Sequence, residues 1–155
     1  GDDGRVLASA RRARERGVRM DIGHGGGSFT FRTARAALAD GFEPDTISTD
    51  LHAFSLVGAM RDLPTTMSKF LALGMPLERV VAAVTVNAAR TIEHPDVTGT
   101  LAAGGSADIA ILEERDGRAD LADVTGEILP VDRTLQAWCT VRGGRVKAGG
   151  SPATV

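Results

Sequence analysis

The chain has 155 residues, of which 43% are apolar and 25% charged; this composition is ordinary for a water-soluble globular protein, but a complete eight-stranded (β/α) barrel needs about 250 residues. The formal net charge of −2 excludes an overall field that would attract nucleic acid, and no apolar run approaches the roughly 18 residues of a membrane span. Since Cys139 is the only cysteine, no intrachain disulfide can form, and we expect a reducing, cytoplasmic location.

The first half of the sequence alternates helix-like and strand-like segments, which is the order of a (β/α) barrel. The segments are a helix over residues 5–16, a strand over 18–22, a helix over 29–39 capped by Ser28, and a strand over 45–50. In the second strand, Thr46, Ser48 and Asp50 share one small and polar face. Such a face is typical of a strand that lines a barrel lumen near an active site.

Two more helices and a β-rich tail follow. Residues 65–73 predict one helix, and the next begins at Pro76, with apolar residues at helical spacing in Leu77, Val80, Val81, Val84 and Ala88. The tail predicts a buried strand over residues 108–112, a charged irregular stretch over 113–127 and a hairpin over 135–147. The chain therefore divides into a βα-like part, residues 1–92, and a β-rich part, residues 93–155.

One histidine stands where a predicted strand meets a glycine-rich turn. His24 closes the strand and is followed by Gly25, Gly26 and Gly27. A neutral imidazole is a good ligand for zinc and similar metals, and residues without side chains let substrate and backbone approach such a metal closely. A structural histidine at a tight turn is the alternative. The strand-end position, with Asp50 lying 26 positions downstream, strengthens the ligand interpretation.

Asp50 ends the second predicted strand. A carboxylate beside a metal can take the proton of bound water and pass it to a leaving group; the alternative is an aspartate that caps the following segment. His52 either orients the substrate or Asp50, or is a loop histidine with structural partners. Asp21 lies inside the first strand and requires a partner there, and His94 precedes a proline and is predicted to be an exposed boundary residue.

The glycine-rich turn also allows two other kinds of site. The run from His24 to Gly27 matches the oxyanion-hole motif of lipases and esterases, but the G-x-S-x-G elbow of that class does not occur in the sequence. A phosphate cradle would need the Lys-Ser/Thr pair of a P-loop, or a G-x-G-x-x-G with its downstream acid, and neither fits. A metal-dependent hydrolase is the better interpretation.

The chain resembles the amidohydrolase superfamily, with the greatest likeness to its dihydroorotase-like and deacetylase-type members. The segments that carry the resemblance occur in order along the chain, at residues 21–29, 45–52, 65–70, 74–81, 85–90, 99–110 and 140–146. The resemblance implies an α/β fold, in which residues 1–92 are the C-terminal portion of a (β/α)8 TIM-type barrel. Residues 93–155 would be strands of a small β-sandwich domain.

The same resemblance assigns roles to the residues of the two strand ends. His24 resembles a single-histidine metal ligand of the family, and Asp50 resembles the catalytic aspartate that ligates the metal and shuttles the proton. His52, Gly25 and Gly26 would line the pocket of a small-molecule substrate. The cofactor would be a divalent metal, with zinc as the first expectation and one or two ions in the complete enzyme.

Several parts of the family's metal site have no match in this sequence: the His-x-His of the first barrel strand, the bridging lysine and the histidine of the preceding strand. The two lysines, Lys69 and Lys147, fall in a predicted helix and in the hairpin. A catalytic zinc takes three protein ligands plus water, so His24 and Asp50 alone predict weak metal binding and little catalysis.

We therefore expect the C-terminal part of a longer hydrolase that acts on amide, cyclic amide or ester bonds. The polar first residues, without an initiator Met, fit a loop inside such a protein. Its partners would be the missing N-terminal half of the barrel and a small-molecule substrate, without nucleic acid or membrane, and a homo-oligomer stays open. The alternative is a non-catalytic degenerate subunit or interaction module of the same fold.

Overall fold

Five helices and two small sheets make up residues 5–52, 61–93 and 99–149, which the computed structural model describes. The helices are α1 (Ala8–Glu15), α2 (Phe31–Ala39), α3 (Leu63–Ala72), α4 (Leu77–Val84) and α5 (Val86–Ile92). The strands are β1 (Asp21–Gly23), β2 (Thr46–Ser48), β3 (Ile109–Ala122), β4 (Ile128–Arg142) and β5 (Arg145–Gly149). The predicted order of helix, strand, helix and strand in the first half is confirmed.

β1 and β2 pair in parallel, with Ile22 opposite Ile47, and α2 is the crossover that parallel neighbours require. Because side chains alternate along a strand, the pair has two different faces. The polar face carries Asp21, Gly23, Thr46 and Ser48, and the apolar face carries Ile22 and Ile47. The apolar face packs on the hydrophobic core, which orients the polar face away from it.

The second sheet is antiparallel, in the order β3-β4-β5, and β4 and β5 form the predicted hairpin. Residues 113–122 were predicted to be irregular and are instead part of β3, which pairs with β4 along most of its length. Their charges concealed the strand because this ribbon is largely exposed, and Arg133 pairs across it with Glu114 at 2.6 Å. The predicted burial of residues 108–112 is wrong, since Ile111 is 42% exposed.

The helix ends depart from the predicted ones for local reasons. Thr30, not Ser28, caps α2, because its hydroxyl oxygen accepts from the Thr33 backbone N–H at 3.2 Å. The Asp62 carboxylate caps α3 in the same way at 2.7 Å. The single helix predicted after Pro76 breaks at Thr85, between α4 and α5. Within the described ranges, no helix is long and apolar enough to cross a membrane.

Helix α3 lies at the centre of the packing. Its residues 66–70 are all buried, although an ordinary surface helix buries only one stripe. Met67 and Phe70 belong to the core cluster together with Phe29 from the first part and Leu135 from β4. The helix therefore contacts the parallel pair and the antiparallel sheet at once.

The turn between β3 and β4 also joins the two parts of the chain. The Asp123 carboxylate accepts from the backbone N–H of Phe31, the first residue of α2, at 2.9 Å. The Val124 N–H donates to the Phe29 carbonyl at 3.2 Å. Residues that stand about ninety positions apart are thus hydrogen-bonded. These bonds hold the segment between the glycine-rich turn and α2 against the β3–β4 turn.

Candidate active site

The carboxyl ends of β1 and β2 lie side by side because the strands are parallel. Their pairing continues past the last strand residues: the His24 N–H donates to the Ser48 carbonyl at 3.2 Å, and the Gly25 N–H donates to the Thr49 carbonyl at 2.8 Å. The two predicted strand-end residues, His24 and Asp50, are therefore brought to the same edge of the sheet. In α/β barrels this is the edge that carries the chemistry.

The Asp50 side chain extends the polar face. The position where a Cβ of Gly23 would stand lies 3.5 Å from the Asp50 Cβ and 3.8 Å from the Ser48 hydroxyl. Asp50 is exposed, and its backbone is left-handed, with φ of 49°. The partner that Asp21 requires is found here, since its carboxylate accepts from the hydroxyls of Thr46 at 2.6 Å and Ser48 at 2.7 Å.

Gly25 lies close to the Asp50 carboxylate. A Cβ at this position would stand only 2.8 Å from Asp50 Oδ2, and φ of Gly25 is +50°. A side chain here would therefore be excluded by contact as well as by backbone strain. The predicted role of Gly25 in lining a substrate pocket stays a prediction.

His24 points to the other side of the sheet, into the core. It is 0% exposed and stacks on Phe29 with ring centroids 4.7 Å apart and an interplanar angle of 16°. Its Nδ1 lies 2.8 Å from the Gly25 carbonyl oxygen, and its Nε2 lies 2.6 Å from Nζ of Lys69. Because a carbonyl can only accept, Nδ1 carries the proton and Nε2 accepts a hydrogen bond from the lysine.

The charge states of this buried pair agree with that assignment. Burial lowers the pKa of His24, and the nearby charge of Lys69 lowers it further, against the opposing effect of the Gly25 carbonyl. Burial also lowers the pKa of Lys69 to about 8, against the raising effect of the Asp123 carboxylate. At neutral pH the pair is therefore a neutral imidazole with a lysine that is mostly an ammonium.

The described residues do not fit a complete metal site. No group of three or more His, Cys, Asp and Glu side chains within residues 5–52, 61–93 and 99–149 could hold an ion. His24 and Asp50 project from opposite faces of the sheet, and both ring nitrogens of His24 already contact protein atoms. The geometry gives no support to the prediction that these two residues share one metal.

The structure does not test the roles predicted for the remaining residues. His52 and Gly26 are both exposed, two residues after Asp50 and one residue after Gly25. Their roles in substrate binding stay predictions. His94 lies outside the described residues, as do residues 53–60.

Two buried charged residues near His24 were not predicted as part of the site. The sequence places Lys69 in a predicted helix without assigning it a role, and Asp123 falls in the stretch predicted to be irregular. The sequence does carry a signal for Lys69, because it stands between Met67 and Phe70 on a segment rich in apolar and small residues. A lysine in such a segment is buried only with a partner. No comparable local signal marks Asp123.

A mixed α/β fold with a carboxylate at the end of a parallel strand is compatible with several classes of hydrolase, and comparison with known proteins identifies the class. A model of the amidohydrolase family matches residues 58–148. This is more than half of the chain, and the chain belongs to that family. The resemblance drawn from the sequence is confirmed.

The curated relatives that match are deacetylases. The chain is 40% identical to the deacetylase Atu3266 of Agrobacterium fabrum over 147 residues, which cover 95% of the chain and 36% of that relative. It is 33% identical to a deacetylase of Enterococcus faecalis over 138 residues, which cover 88% of the chain and 37% of that relative. The chain thus spans little more than a third of the length of these relatives.

Solved structures give the same result for the fold. An adenine deaminase superposes with a TM-score of 0.87 at 30% identity, covering 92% of this chain and 39% of the deaminase. A dihydroorotase superposes with a TM-score of 0.82 at 41% identity, covering 90% of this chain and 38% of the dihydroorotase. The mixed α/β arrangement described above therefore recurs in amidohydrolase structures.

Proposed function

We propose that this chain is the C-terminal part of a metal-dependent amidohydrolase that cleaves an amide, cyclic amide or ester bond of a small molecule. Support comes from membership of the amidohydrolase family and from relatives that are named as deacetylases. The single observation that carries the proposal is the position of Asp50, whose exposed carboxylate lies at the carboxyl end of β2 beside the side-chain-free Gly25.

Asp50 would act as the proton shuttle. As a water oxygen forms its bond to the acyl carbon, the Asp50 carboxylate accepts the proton that this water loses. The same proton then passes to the departing nitrogen or oxygen as the bond between that atom and the acyl carbon breaks. The absence of a side chain at Gly25 leaves room for a substrate to approach the carboxylate, since a Cβ there would stand 2.8 Å from Asp50 Oδ2.

The family generally uses divalent metals, and a bound metal would polarise the acyl oxygen and acidify the attacking water. Of the described residues on the polar face, Asp50 could contribute one ligand, and the others would come from further chain. Zinc as the ion stays a prediction.

The polar face offers a reason to expect that further chain. A two-stranded parallel pair buries one face on the core here, while Asp21 and Asp50 on the other face are exposed. Parallel sheets in α/β proteins normally have both faces covered and contain more strands. We propose that preceding strands of a longer protein pair with β1 and close a barrel around Asp50. The small-molecule substrate would then bind inside that barrel.

The test is the substitution Asp50→Asn in the intact protein that carries this chain, with Asp132→Asn on exposed β4 as the matched control. Removing the proton acceptor should lower kcat by about 10²- to 10⁴-fold and leave the thermal unfolding midpoint nearly unchanged, because the Asp50 side chain is exposed. The control should keep full turnover. Full hydrolysis of an acetylated or cyclic amide substrate by Asp50→Asn would refute the proposed role.

A further inference from the structure

We propose that Lys69 and His24 form a buried positioning pair that holds the Gly25 backbone against Asp50, and that His24 is not a metal ligand. The inference deepens the proposed function and rests on it, since positioning Asp50 matters only if Asp50 does chemistry. It is carried by the juxtaposition of Lys69 Nζ and His24 Nε2 at 2.6 Å on the core side of the sheet. His24, which the sequence predicts to be a metal ligand, becomes a positioning residue.

The imidazole of His24 points into the core. His24 is completely buried and stacks on Phe29, on the face that packs against α3. The Asp50 carboxylate lies on the opposite face, within contact distance of where a Gly25 Cβ would be. An ion beside Asp50 would therefore meet the backbone of Gly25 and not the ring of His24.

The Nε2 atom of His24 faces the positive charge of Lys69. A histidine that binds a metal through Nε2 commonly donates Nδ1–H to a carbonyl, so the Gly25 contact alone would suit a ligand. The Lys69 ammonium at 2.6 Å removes that interpretation here, because it uses the lone pair that would bind the ion and repels any cation placed there.

Hydrogen bonds through Gly25 connect the Lys69–His24 pair with the residue before Asp50. The ring donates Nδ1–H to the Gly25 carbonyl oxygen at 2.8 Å, and the Gly25 N–H donates to the Thr49 carbonyl at 2.8 Å. Gly25 is thus bonded at its carbonyl to His24 and at its amide to the residue just before Asp50. Losing the ring contact would release the Gly25 carbonyl, on the residue whose Cβ position lies 2.8 Å from Asp50 Oδ2.

The packing of α3 fixes the backbone from which Lys69 reaches His24. It lies on α3 between Ser68 and Phe70, and all three residues are buried. The Ser68 hydroxyl oxygen accepts from the Leu135 N–H at 2.8 Å, which joins this turn of the helix to β4. The backbone of α3 at Lys69 is therefore held by packing and by a hydrogen bond. The contacts run from Lys69 to His24, from His24 to Gly25, and from Gly25 to Asp50.

The experiment uses the intact protein with the substitutions Lys69→Met and His24→Gln, singly and together. Lys147→Met, at an exposed position of β5, is the matched control because these are the two lysines of the chain. Metal content by mass spectrometry, kcat and KM are measured for each. We expect metal content and KM to stay unchanged in both single variants, while kcat falls about 10- to 100-fold, as expected for misplaced catalytic groups. The double variant should lose little more than either single one, since the pair acts as a unit.

Two results would overturn the inference: loss of metal from His24→Gln, which the ligand assignment requires, or unchanged kcat in a folded Lys69→Met protein. Lys69→Arg should recover part of kcat, because it restores a cationic donor.

A direct measurement on the unsubstituted protein does not depend on turnover or on the variants' folding. With isotope-labelled histidine and an NMR-active cadmium isotope added as the probe, His24 should show the Nδ1–H form and no coupling to cadmium. Coupling between cadmium and His24 would refute the pair. If Asp50→Asn kept full activity, the proposed function would fail by itself, and this spectrum would still decide whether His24 binds metal.

Discussion

At the scale of single residues, the tightest constraint on the site is Gly25. Its carbonyl accepts from His24, its N–H donates to Thr49, and a Cβ would lie 2.8 Å from Asp50 Oδ2. The glycine also adopts φ of +50°, which is costly for residues with a side chain. Two separate physical effects therefore require glycine at the same position.

Gly41→Ala separates these effects from each other. Gly41 also has a positive φ, of +67°, but nothing lies within 4 Å of its missing Cβ. Both Gly25→Ala and Gly41→Ala should lower the free energy of unfolding by about 1–2 kcal/mol through backbone strain. Only Gly25→Ala should also lower kcat, because only its Cβ displaces the Asp50 carboxylate. Thermal unfolding and steady-state kinetics on the two proteins check this, and equal kcat values would contradict the close approach.

At the scale of elements, α3 connects the parallel pair with the antiparallel sheet. One of its turns supplies Ser68 to β4, Lys69 to His24 and Phe70 to the core. The buried Ser68 hydroxyl accepts from the Leu135 N–H, and its O–H donates to the Pro64 carbonyl at 2.7 Å. Helix α3 is therefore held in place by hydrogen bonds as well as by apolar contact.

Ser68→Ala tests the hydrogen-bonded part of that contact. The substitution leaves the buried Leu135 N–H without its acceptor, which should cost about 1–3 kcal/mol of the free energy of unfolding. Ser106→Ala, at an exposed position, is the control and should change stability by less than about 0.5 kcal/mol. Denaturant unfolding followed by circular dichroism measures both, and equal midpoints for the two variants would show that this bond contributes nothing.

At the scale of the whole molecule, the β3–β4 turn holds the two parts of the chain together through Asp123. Burial raises the pKa of this carboxyl group, but hydrogen bonds from the Thr125 hydroxyl and from the N–H groups of Phe31, Thr125 and Glu127 outweigh burial and lower it to about 2. The ordinary value is 3.8, so the unfolded chain binds this proton before the folded protein does. The stabilisation is present above about pH 4 and is lost as the pH falls towards about 2.

Asp123→Asn should therefore be destabilised at neutral pH by about 1.5–3 kcal/mol, the range for hydrogen bonds to a charged group. The difference from the unsubstituted protein should shrink as the pH falls from about 4 to about 2. The measurement is a series of denaturant curves against pH, with Asp132→Asn as the control that should follow the unsubstituted protein. A difference that stays constant over this range would mean that folding does not lower the pKa of Asp123.

Local patterns were sufficient for a good part of the fold. Alternation within residues 45–50 predicted a polar face that carries Asp50, and that face is observed. The helical period around α4 and the Gly143-Gly144 turn of the hairpin also follow from neighbours in sequence. These features depend on residues within a few positions of each other, so one sequence contains all that they need.

Contacts between distant residues decided the rest. The break at Thr85 coincides with the approach of Gly99, where a Cβ would stand 2.6 Å from the Thr85 carbonyl carbon. Likewise, β3 exists as a long strand because β4 supplies its partners, although its charges predict a loop.

The sequence alone was enough to place His24 and Asp50 at two strand ends, and the order of seven segments along the chain was enough to indicate its family. The folded packing was needed to see that the His24 ring faces α3 and Lys69 while the Asp50 carboxylate faces the opposite side of the sheet. Alternation along a strand sets which side chains share a face. What packs against that face is set by distant residues, here by Lys69 on a helix 45 positions away from His24 in the sequence.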